Sequence, residues 1–421
     1  MSEIQPSRIE NSISRFMAWL ETYPETSYDH QSFFASDLGR AAKALYYRKP
    51  LLGTLAVSPM IFCEAFVPSA RALFWKRQRI PIADAHYAMG FAFLAQLHGD
   101  EKYHRRAVHF LEVLEETRCP DYEEYGWGYP FHWETRNGTF KMGTPLITTL
   151  PYVYEAFSAV YALDKDPRWL RIMQSIARHG FRDYRDVERG PGMNSCGYTT
   201  AADDPATVVN ASAYRAFLLT KAGIELSEPA YLEAAKRNLN FVLSCQQHDG
   251  SWFYAVDGVR DFIDHFHTCF VLKALAKIEQ LTSWDQGRSA IERGVEYYVR
   301  NLFDAKGLPL PFSRRPRLTV YKRELYDYAE CINLGTLLLG QFEDLDRVLS
   351  LVVEDVLSRW QRPKGAFRAR QLTVGWDNVP MHRWAQSQTF RSLCFLLSRL
   401  KGSQEAMIGT PSLRGTSRVE S

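Results

Sequence analysis

The hydrophobic pattern of the chain is mostly helical, and its helical segments are of two kinds. The first kind has one charged and one apolar face, which is typical of a helix that packs one side against a core. It comprises Tyr103–Thr117, Arg168–Arg182, Pro229–Ser244, Gln286–Asn301 and Glu343–Trp360. The second kind carries small and apolar residues around most of its circumference, which predicts that the helix is buried on all sides. It comprises Ile82–Leu97, Pro145–Leu163, Pro205–Ala222, Phe262–Ile278, Tyr326–Leu339 and Arg383–Leu400.

The buried helices recur at a nearly constant interval. They start at residues 82, 145, 205, 262, 326 and 383, so successive starts are 63, 60, 57, 64 and 57 residues apart. A repeat of this length holds two helices and a loop, and six such hairpins predict an all-α (α/α)6 toroid, a single domain over residues 1–400. We expect Ser32–Tyr47 to be the sixth outer helix and residues 401–421 to be a disordered tail. The alternative is a two-domain helical protein whose period is accidental.

Composition narrows the class of protein without naming a function. Of the 421 residues, 46% are hydrophobic and 24% are charged, which is ordinary for a soluble globular protein. A net charge of +3 gives no basic footprint, so no nucleic-acid partner is expected. We expect neither a signal peptide nor a transmembrane segment. Seven scattered cysteines without a CxxC pair favour reduced thiols and a cytoplasmic location.

One motif resembles a known architectural signature. The stretch Gln246-Gln-His-Asp-Gly-Ser-Trp252 follows an outer helix and is similar to the glutamine–tryptophan repeat of terpenoid-cyclase-type toroids. In those proteins the glutamine caps a helix end and the tryptophan stacks on it. The chain lacks an Asp-x-Asp-Asp acid motif, and Asp203-Asp204 is followed by Pro205. Terpene cyclisation is therefore not expected.

Longer stretches resemble bacterial toroid proteins that are encoded with exopolysaccharide-biosynthesis genes, and the similarity covers roughly residues 80–400. The stretches are Tyr125-Gly-Trp-Gly-Tyr-Pro-Phe-His-Trp133, Asp249-Gly-Ser-Trp-Phe-Tyr254, Asp261-Phe-Ile-Asp-His-Phe-His267 and Arg383-Trp-Ala-Gln-Ser-Gln388. Some members carry an aminolevulinate-dehydratase label, but that activity would need a βα barrel, and this chain lacks the strand–helix alternation. The resemblance implies a glycan context and association with a polysaccharide synthesis machine.

Aromatic residues follow glycines in the loops that precede the inner helices. Because aromatic faces stack on sugar rings, these residues are candidates for a sugar platform; the alternative is lid and core packing. The candidates, together with the histidine between them, are Trp127, Tyr129, His132, Trp133, Tyr198, Trp252 and Trp376.

The segment from Asp261 to His267 is the richest cluster of titratable groups. Helical spacing would pair Asp261 with His265 and Asp264 with His267. A carboxylate beside an imidazole fixes its tautomer and raises its basicity, as general acid–base catalysis requires. The alternative is that the aspartates cap the helix and the histidines fill a contact between helices. No metal is expected, since Asp261, His265 and Cys269 would span about 12 Å of helix rise.

Further candidates lie at the starts of other inner helices. Asp327 and Glu330 could supply a carboxylate pair across from Asp264, as glycoside hydrolysis requires. Arg383 could clamp a uronate carboxylate. The remaining candidates for substrate contact are Asn194, Tyr326, Trp384 and Gln388.

These observations favour an enzyme that acts on an oligo- or polysaccharide, without a cofactor. An epimerase or lyase would use His265 or His267 with Tyr254, and Arg383 or Asn194 would neutralise a uronate carboxylate. A hydrolase would use Asp264 with Asp327 or Glu330. Two alternatives stay open: a non-catalytic glycan-binding or assembly factor, and a toroid that handles isoprenoids or lipids.

Overall fold

The computed structural model describes residues 4–136, 138–316 and 319–408. Its α-helices are α1 (Pro6–Thr22), α2 (Ser32–Ala35), α3 (Asp37–Arg48), α4 (Pro50–Phe66), α5 (Arg71–Phe74), α6 (Pro81–His98), α7 (Glu101–Glu116), α8 (Leu150–Asp164), α9 (Pro167–Arg182), α10 (Val209–Glu225), α11 (Pro229–Ser244), α12 (His265–Leu281), α13 (Arg288–Asn301), α14 (Leu325–Leu337), α15 (Glu343–Asp355) and α16 (Ser387–Ile408). Short antiparallel strands connect them: β1 (Trp133–Thr135), β2 (Gly138–Phe140), β3 (Asp186–Gly190), β4 (Met193–Cys196), β5 (Ile263–Asp264), β6 (Phe312–Arg314), β7 (Tyr321–Glu324), β8 (Arg370–Leu372) and β9 (Trp376–Asp377).

Two concentric layers of helices form the molecule. Helices α6, α8, α10, α12, α14 and α16 make the inner ring: each packs on the next, and α16 packs on α6. Their side chains are mostly buried because each of these helices touches both ring neighbours and the outer layer. Helices α7, α9, α11, α13, α15 and α1 form the outer layer. The predicted (α/α)6 toroid is confirmed.

The sixth outer helix is α1, and the prediction of Ser32–Tyr47 for that position is wrong. Helix α1 packs on α16 through a stripe of buried residues at helical spacing: Ile9, Ile13, Phe16 and Leu20. The ring of Phe16 stacks on that of Phe390 with centroids 5.2 Å apart. Both N-terminal stretches are amphipathic, so the local pattern did not distinguish the helix that closes the ring.

The glutamine–tryptophan motif joins neighbouring outer helices, as the resemblance implied. The Gln246 amide donates to the carbonyls of Gly250 and of Ala290 on α13, at 3.0 and 2.9 Å. The Trp252 indole N–H donates to the Val242 carbonyl at 2.9 Å. The motif therefore joins the end of α11 and the loop that follows it to the first turn of α13.

The same device recurs at the point where the ring closes. The Gln361 amide donates to the carbonyls of Gly365 and of Ser12 on α1, at 3.0 and 2.9 Å. A Cβ on Gly365 would lie 2.1 Å from the Arg15 carbonyl oxygen, so only glycine permits this approach. This repetition supports α1 as the final member of the outer layer.

Residues 27–79, with helices α2 to α5, form a cap over the ring. The His30 imidazole lies 3.0 Å from the carboxylate of Glu324, the N-cap residue of α14. Asp29 pairs with Arg383, just before α16, at 2.8 Å. The cap therefore lies against the amino-terminal ends of two inner helices.

The end of the chain differs in part from the expectation. Helix α16 continues to Ile408, past the predicted domain end at residue 400. Residues 409–421 lie outside the described residues, and their disorder stays a prediction. Within the described part of the chain, no helix combines the length and apolar character needed to cross a bilayer. All seven cysteines are free thiols, as predicted.

Candidate functional site

The first turn of α12 holds a carboxylate–imidazole pair. Asp264 is the N-cap residue, and its side chain accepts a 2.9 Å hydrogen bond from the His267 backbone N–H. Its other oxygen lies 2.6 Å from His267 Nδ1. The predicted Asp264–His267 pairing is confirmed. A carboxylate at Nδ1 places the imidazole proton there, which leaves Nε2 free to accept a proton.

A tyrosine ring packs directly against this pair at the edge of a cleft. The Tyr254 ring meets the His267 ring edge-on with centroids 4.6 Å apart, and Phe262 stacks on Tyr254. Burial raises the pKa of Tyr254 to about 12, although the charge of Arg260 opposes the shift. The phenol therefore keeps its proton at neutral pH. We name this cleft the mouth cleft; it is lined by Val209, Asn210, Trp252, Phe253, Tyr254, Phe262, Asp264, His267, Thr268 and Val271.

His265 and Asp261 do not form the predicted pair. Residues 263–264 are an extended strand, so helical spacing does not hold before His265. His265 is fully buried against the outer layer, where Nε2 accepts from the Tyr298 hydroxyl at 2.6 Å and Nδ1 donates to the Leu310 carbonyl at 3.2 Å. Burial lowers the pKa of His265 to about 3. Asp261 forms an ion pair with Arg314. Both contacts are structural.

An aromatic row continues from the His267 ring. Phe266 and His267 have ring centroids 4.4 Å apart, and Phe266 lies 5.0 Å from Tyr326. Tyr326 and Trp384 stack in parallel with centroids 5.1 Å apart and an interplanar angle of 5°. The Arg383 guanidinium lies 3.9 Å from the Trp384 ring centroid. The structure thus brings Tyr326, Arg383 and Trp384 into one packed row with His267, in which Tyr326 and Arg383 are buried.

Arg383 is not a free carboxylate clamp, contrary to expectation. It is buried, and it contacts Asp29 of the cap at 2.8 and 2.9 Å. Its guanidinium carbon also lies 5.1 Å from the Tyr129 ring centroid. Because Asp29 already neutralises the guanidinium, a uronate carboxylate would have to displace the cap residue.

Part of the predicted platform lies on the same surface. Tyr129 contacts Trp133 edge-on at 5.4 Å, and Trp133 lies 6.4 Å from Tyr198 between ring centroids. All three rings are partly exposed. His132 is nearby in sequence, but its Nδ1 accepts from the Met142 backbone N–H at 3.1 Å.

Other predicted contacts lie within the architecture. Trp127 has no exposed surface, and its indole donates to the Leu114 carbonyl at 2.8 Å. Trp252 lines the mouth cleft but is held by its bond to Val242. The Trp376 ring packs on Trp360 at 5.0 Å and lies below the Arg368 guanidinium at 4.8 Å. The Asn194 amide donates to Asp186 at 3.0 Å. None of these four contacts requires a ligand.

Two predicted acidic residues on α14 are fully buried. Burial, together with the nearby carboxylates of Glu324 and Asp264, holds the pKa of Asp327 well above its ordinary value. Asp327 therefore keeps its proton to a higher pH than an ordinary aspartate does. Glu330 forms an ion pair with Lys273 of α12. Gln388 is buried as well, and its amide has no hydrogen-bond partner among the described residues.

A polar cluster on the ring axis was not foreseen. The Tyr152 and Tyr214 hydroxyls lie 2.8 Å apart, and Lys273 Nζ donates to the Tyr152 hydroxyl at 3.3 Å. The Arg391 guanidinium lies 5.4 Å from the Tyr152 ring centroid and 3.5 Å from His86 Nδ1. We name this the axial cluster; its members are His86, Tyr152, Glu155, Tyr214, Lys273, Lys277, Glu330 and Arg391.

Positive charge predominates in the axial cluster. Three cations (Lys273, Lys277 and Arg391) share it with the carboxylates of Glu155 and Glu330, an excess of one positive charge. Burial lowers the pKa of Lys277 to about 8, even though Glu155 lies 2.6 Å away and opposes the shift. Burial and the three cations keep the pKa of His86 well below its ordinary value, so His86 is neutral. The environment favours an anionic ligand.

One sequence signal could have revealed this cluster. Lys273 and Lys277 stand four residues apart on an otherwise apolar helix, and Glu155, His86 and Arg391 interrupt other inner helices in the same way. A buried charge is costly unless it is paired, so a charge within a fully buried helix must meet a partner or a ligand.

In the described part of the chain, one group of side chains places possible metal-ligand atoms close to one another. His30, Glu64 and Asp377 offer atoms within 4.8 Å of one another. The Arg71 guanidinium pairs with Glu64 at 2.8 Å and Asp377 at 2.7 Å. A protein cation thus already bridges the two carboxylates, and the contacts join the cap to the ring.

Comparison with known proteins identifies the fold of the chain. No family model and no curated protein matches its sequence. An unsaturated glucuronyl hydrolase specific for heparin superposes with a TM-score of 0.62 at 10% identity, over 95% of this chain and 97% of that one. Cellobiose 2-epimerase from Spirochaeta thermophila gives 0.61 at 14% identity, over 78% and 87%. An α-1,6-mannanase from Salegentibacter sp. HEL1_6 gives 0.56 at 14% identity, over 77% and 90%. They share the toroid.

Proposed function

We propose that the protein is a carbohydrate-active enzyme that transfers a proton on an acidic, uronate-containing glycan, by epimerisation or elimination. The observation that carries the proposal is the 2.6 Å contact between Asp264 and His267, which faces Tyr254 within one cleft. The pairing supplies an oriented base, and Tyr254 supplies a protonated acid. Solved toroids named as epimerases and glycan hydrolases support the substrate class.

The proposed reaction begins at the carbon next to the uronate carboxylate. His267 Nε2 accepts the C5 proton, and Asp264 stabilises the imidazolium that forms. In epimerisation, Tyr254 donates its proton to the opposite face of C5. In elimination, the bond from C4 to the glycosidic oxygen breaks, and the leaving oxygen takes the Tyr254 proton. Solvent then returns a proton to Tyr254 and takes the proton from the His267 imidazolium, so both residues regain their starting states.

The aromatic row and the axial cluster would recognise the substrate. The partly exposed rings of Tyr129, Trp133 and Trp384 offer surface against which a sugar ring can pack, and the buried Tyr326 ring stacks on Trp384. Phe270 separates the mouth cleft from the axial cluster, since its centroid lies 5.4 Å from His267 and 5.5 Å from Lys273 Nζ. The cations beyond it would favour a glycan that carries several acidic groups.

Hydrolysis is the second candidate, and the raised pKa of Asp327 favours it. A general acid needs a pKa above that of an ordinary carboxyl group, and the environment of Asp327 shifts its pKa in that direction. The nearby Asp264 would then act as the second carboxylate. This version requires Asp264 to work without His267, to which it is bonded.

The biological setting is also proposed. The resemblance to exopolysaccharide-cluster proteins supports a role in exopolysaccharide biosynthesis, in the cytoplasm and beside a polysaccharide synthesis machine. The alternative that handles isoprenoids would need an apolar axis, which the charged axial cluster disfavours.

The test is incubation of the purified protein with acidic and neutral polysaccharides in deuterated buffer. Epimerisation puts deuterium at C5. Elimination creates a double bond that absorbs ultraviolet light and consumes no water. Hydrolysis creates new reducing ends without such a double bond. The proposal expects one of the first two, and expects it on acidic glycans. If the protein binds a glycan but forms no product, the enzyme proposal is wrong and the protein is a non-catalytic glycan-binding or assembly factor.

A further inference from the structure

The outer surface of the cap is strongly apolar. Leu51 is 87% exposed, Leu55 72%, Phe62 60% and Phe66 55%. These positions are four, seven and four residues apart, so they form one stripe along α4. The cap exposes further apolar side chains: Leu38, Leu52, Ile61, Val67 and Leu73. A continuous exposed apolar patch is typical of an interaction surface.

The opposite side of α4 is fixed to the ring. Met60 is buried in the cap, and Glu64 pairs with Arg71 at 2.8 Å and with Arg370 of the ring at 2.7 Å. A Cβ on Gly53 would lie 2.0 Å from the Tyr46 Cα, so α3 and α4 pack backbone to backbone. Because these contacts hold the inner side, the stripe of Leu51 and Phe62 cannot turn inward to bury itself.

The charges around the stripe are positive. Arg48 and Lys49 are exposed immediately before α4, and Lys76 is exposed after α5. Between residues 38 and 76 the only acidic residue is Glu64, which is buried. Tyr46 and Tyr47 precede the basic pair, with ring centroids 5.7 Å apart. Tyrosines and cations beside an apolar helix face are the composition of a membrane-interface segment.

We propose that the cap docks on the surface of an anionic lipid bilayer, with α4 lying in the interface. The Leu51–Phe66 stripe would enter the boundary of the acyl chains, and Arg48, Lys49 and Lys76 would meet lipid phosphates. The proposal stands on the cap alone and holds whatever reaction the ring performs. Docking in this orientation would bring the cap side of the ring, with the amino-terminal ends of α14 and α16, next to the bilayer.

The test is flotation of the full-length protein with vesicles of phosphatidylcholine, with and without phosphatidylglycerol. We expect the protein to float with the anionic vesicles, and less with the neutral ones. Leu51→Ser with Leu55→Ser should reduce the partition constant by about tenfold or more. Arg48→Glu with Lys49→Glu should remove the preference for anionic vesicles. Circular dichroism and thermal unfolding should match wild type, since all four side chains are exposed.

The matched control is Ile224→Ser with Leu281→Ser. These residues are 42% and 40% exposed at the carboxy-terminal ends of α10 and α12, away from the cap, and their loss should leave flotation unchanged. The proposal is overturned if wild type does not float, or if the control reduces flotation as much as the cap variant. The proposal is also overturned if the protein without lipid is a stable dimer and the Leu51→Ser, Leu55→Ser variant is a monomer. The apolar stripe would then be covered by a second copy of the chain.

Discussion

The carboxylate of Asp264 and the imidazole of His267 are joined at 2.6 Å in the first turn of an inner helix. The same aspartate caps that turn, so its position is fixed by the backbone that carries the histidine. His265, two residues away, bonds Tyr298 on the outer layer instead. Two histidines within one turn of helix thus point in different directions: His267 lines the cleft, and His265 packs against the outer layer.

This separation predicts opposite effects of two histidine substitutions. His267→Ala should lower turnover of an acidic glycan by about 10²–10⁴-fold, because it removes the proton acceptor, and should leave the melting temperature nearly unchanged. His265→Ala should instead lower the melting temperature, because it leaves the buried Tyr298 hydroxyl without its acceptor. Turnover by the deuterium and absorbance assays, beside calorimetry, checks both. Equal loss of turnover with no change in melting would contradict the assignment.

Binding of an acidic glycan should weaken as pH rises through about 8. The pKa of Lys277 is lowered to about 8 by burial, so the amine is charged below that pH and neutral above it. Lys277→Arg should extend tight binding into alkaline solution because the guanidinium keeps its charge. Titration calorimetry with an oligouronate across this range provides the measurement. A flat profile in wild type would remove Lys277 from the binding site.

The contacts between cap and ring should contribute to stability through buried charge. Arg71→Met leaves Glu64 and Asp377 buried with one cation fewer, which should reduce the free energy of unfolding by about 3–5 kcal/mol. Burial alone would raise the pKa of Glu64, but Arg71 and His30 hold it well below its ordinary value. A carboxyl group whose pKa is depressed in the folded state stabilises the fold fully at pH values above its unfolded-state pKa, so this contribution should be lost progressively as the pH falls below that value.

A matched control exists within the cap itself. Arg40 pairs with Asp37 on an exposed surface, and an exposed pair contributes about 0–1 kcal/mol. Urea unfolding of Arg40→Met should therefore resemble wild type. If both variants lower the free energy of unfolding equally, the buried ion pairs contribute no more to stability than the exposed pair.

The two tryptophans of the first aromatic loop should behave differently. Trp127→Ala empties a fully buried site and should reduce the free energy of unfolding by about 3–5 kcal/mol. Trp133→Ala removes a partly exposed ring and should weaken glycan binding while changing stability far less. Denaturant unfolding and binding titrations on the same preparations separate the two roles. Loss of binding by Trp127→Ala in a fully folded protein would contradict the structural role.

Because α1 closes the ring, replacing one glycine should destabilise the fold. Gly365 and Gly375 both have positive φ, but a Cβ would meet the Arg15 carbonyl only at Gly365, since Gly375 has open space. Gly365→Ala should therefore be destabilising by about 1–3 kcal/mol beyond Gly375→Ala. The difference between the two unfolding free energies is the measurement. No difference would mean that α1 does not close the ring against this loop.

Periodicity was sufficient for the fold but not for every element. Buried helices such as Val209–Glu225 can be predicted from the sequence because most of their residues are apolar or small. Ser32–Tyr47 and Pro6–Thr22 have similar amphipathic patterns, and choosing between them required knowing which helix has a neighbour at the seam of the ring. The glutamine motif at Gln361 marks that seam, but its partner Ser12 is distant in sequence.

The candidate site was predictable where partners are close along the chain. Asp264 and His267 lie three residues apart, so local spacing was enough to pair them. Trp127 and Trp133 belong to one loop and have the same chemistry, so no local pattern could tell which ring is buried. The cluster of Lys273, Tyr152 and Arg391 joins three inner helices, and only their arrangement round the axis brings these side chains together.

The amino-acid sequence by itself determined the number of hairpins, the buried character of the inner helices and the local Asp264–His267 pair, because helical period and short spacing are properties of neighbouring residues. The tertiary structure alone decided that α1 closes the ring, that Arg383 is occupied by Asp29, and that positive charge gathers on the axis. These features depend on contacts between residues far apart in the chain, whose distances are set only when the ring closes.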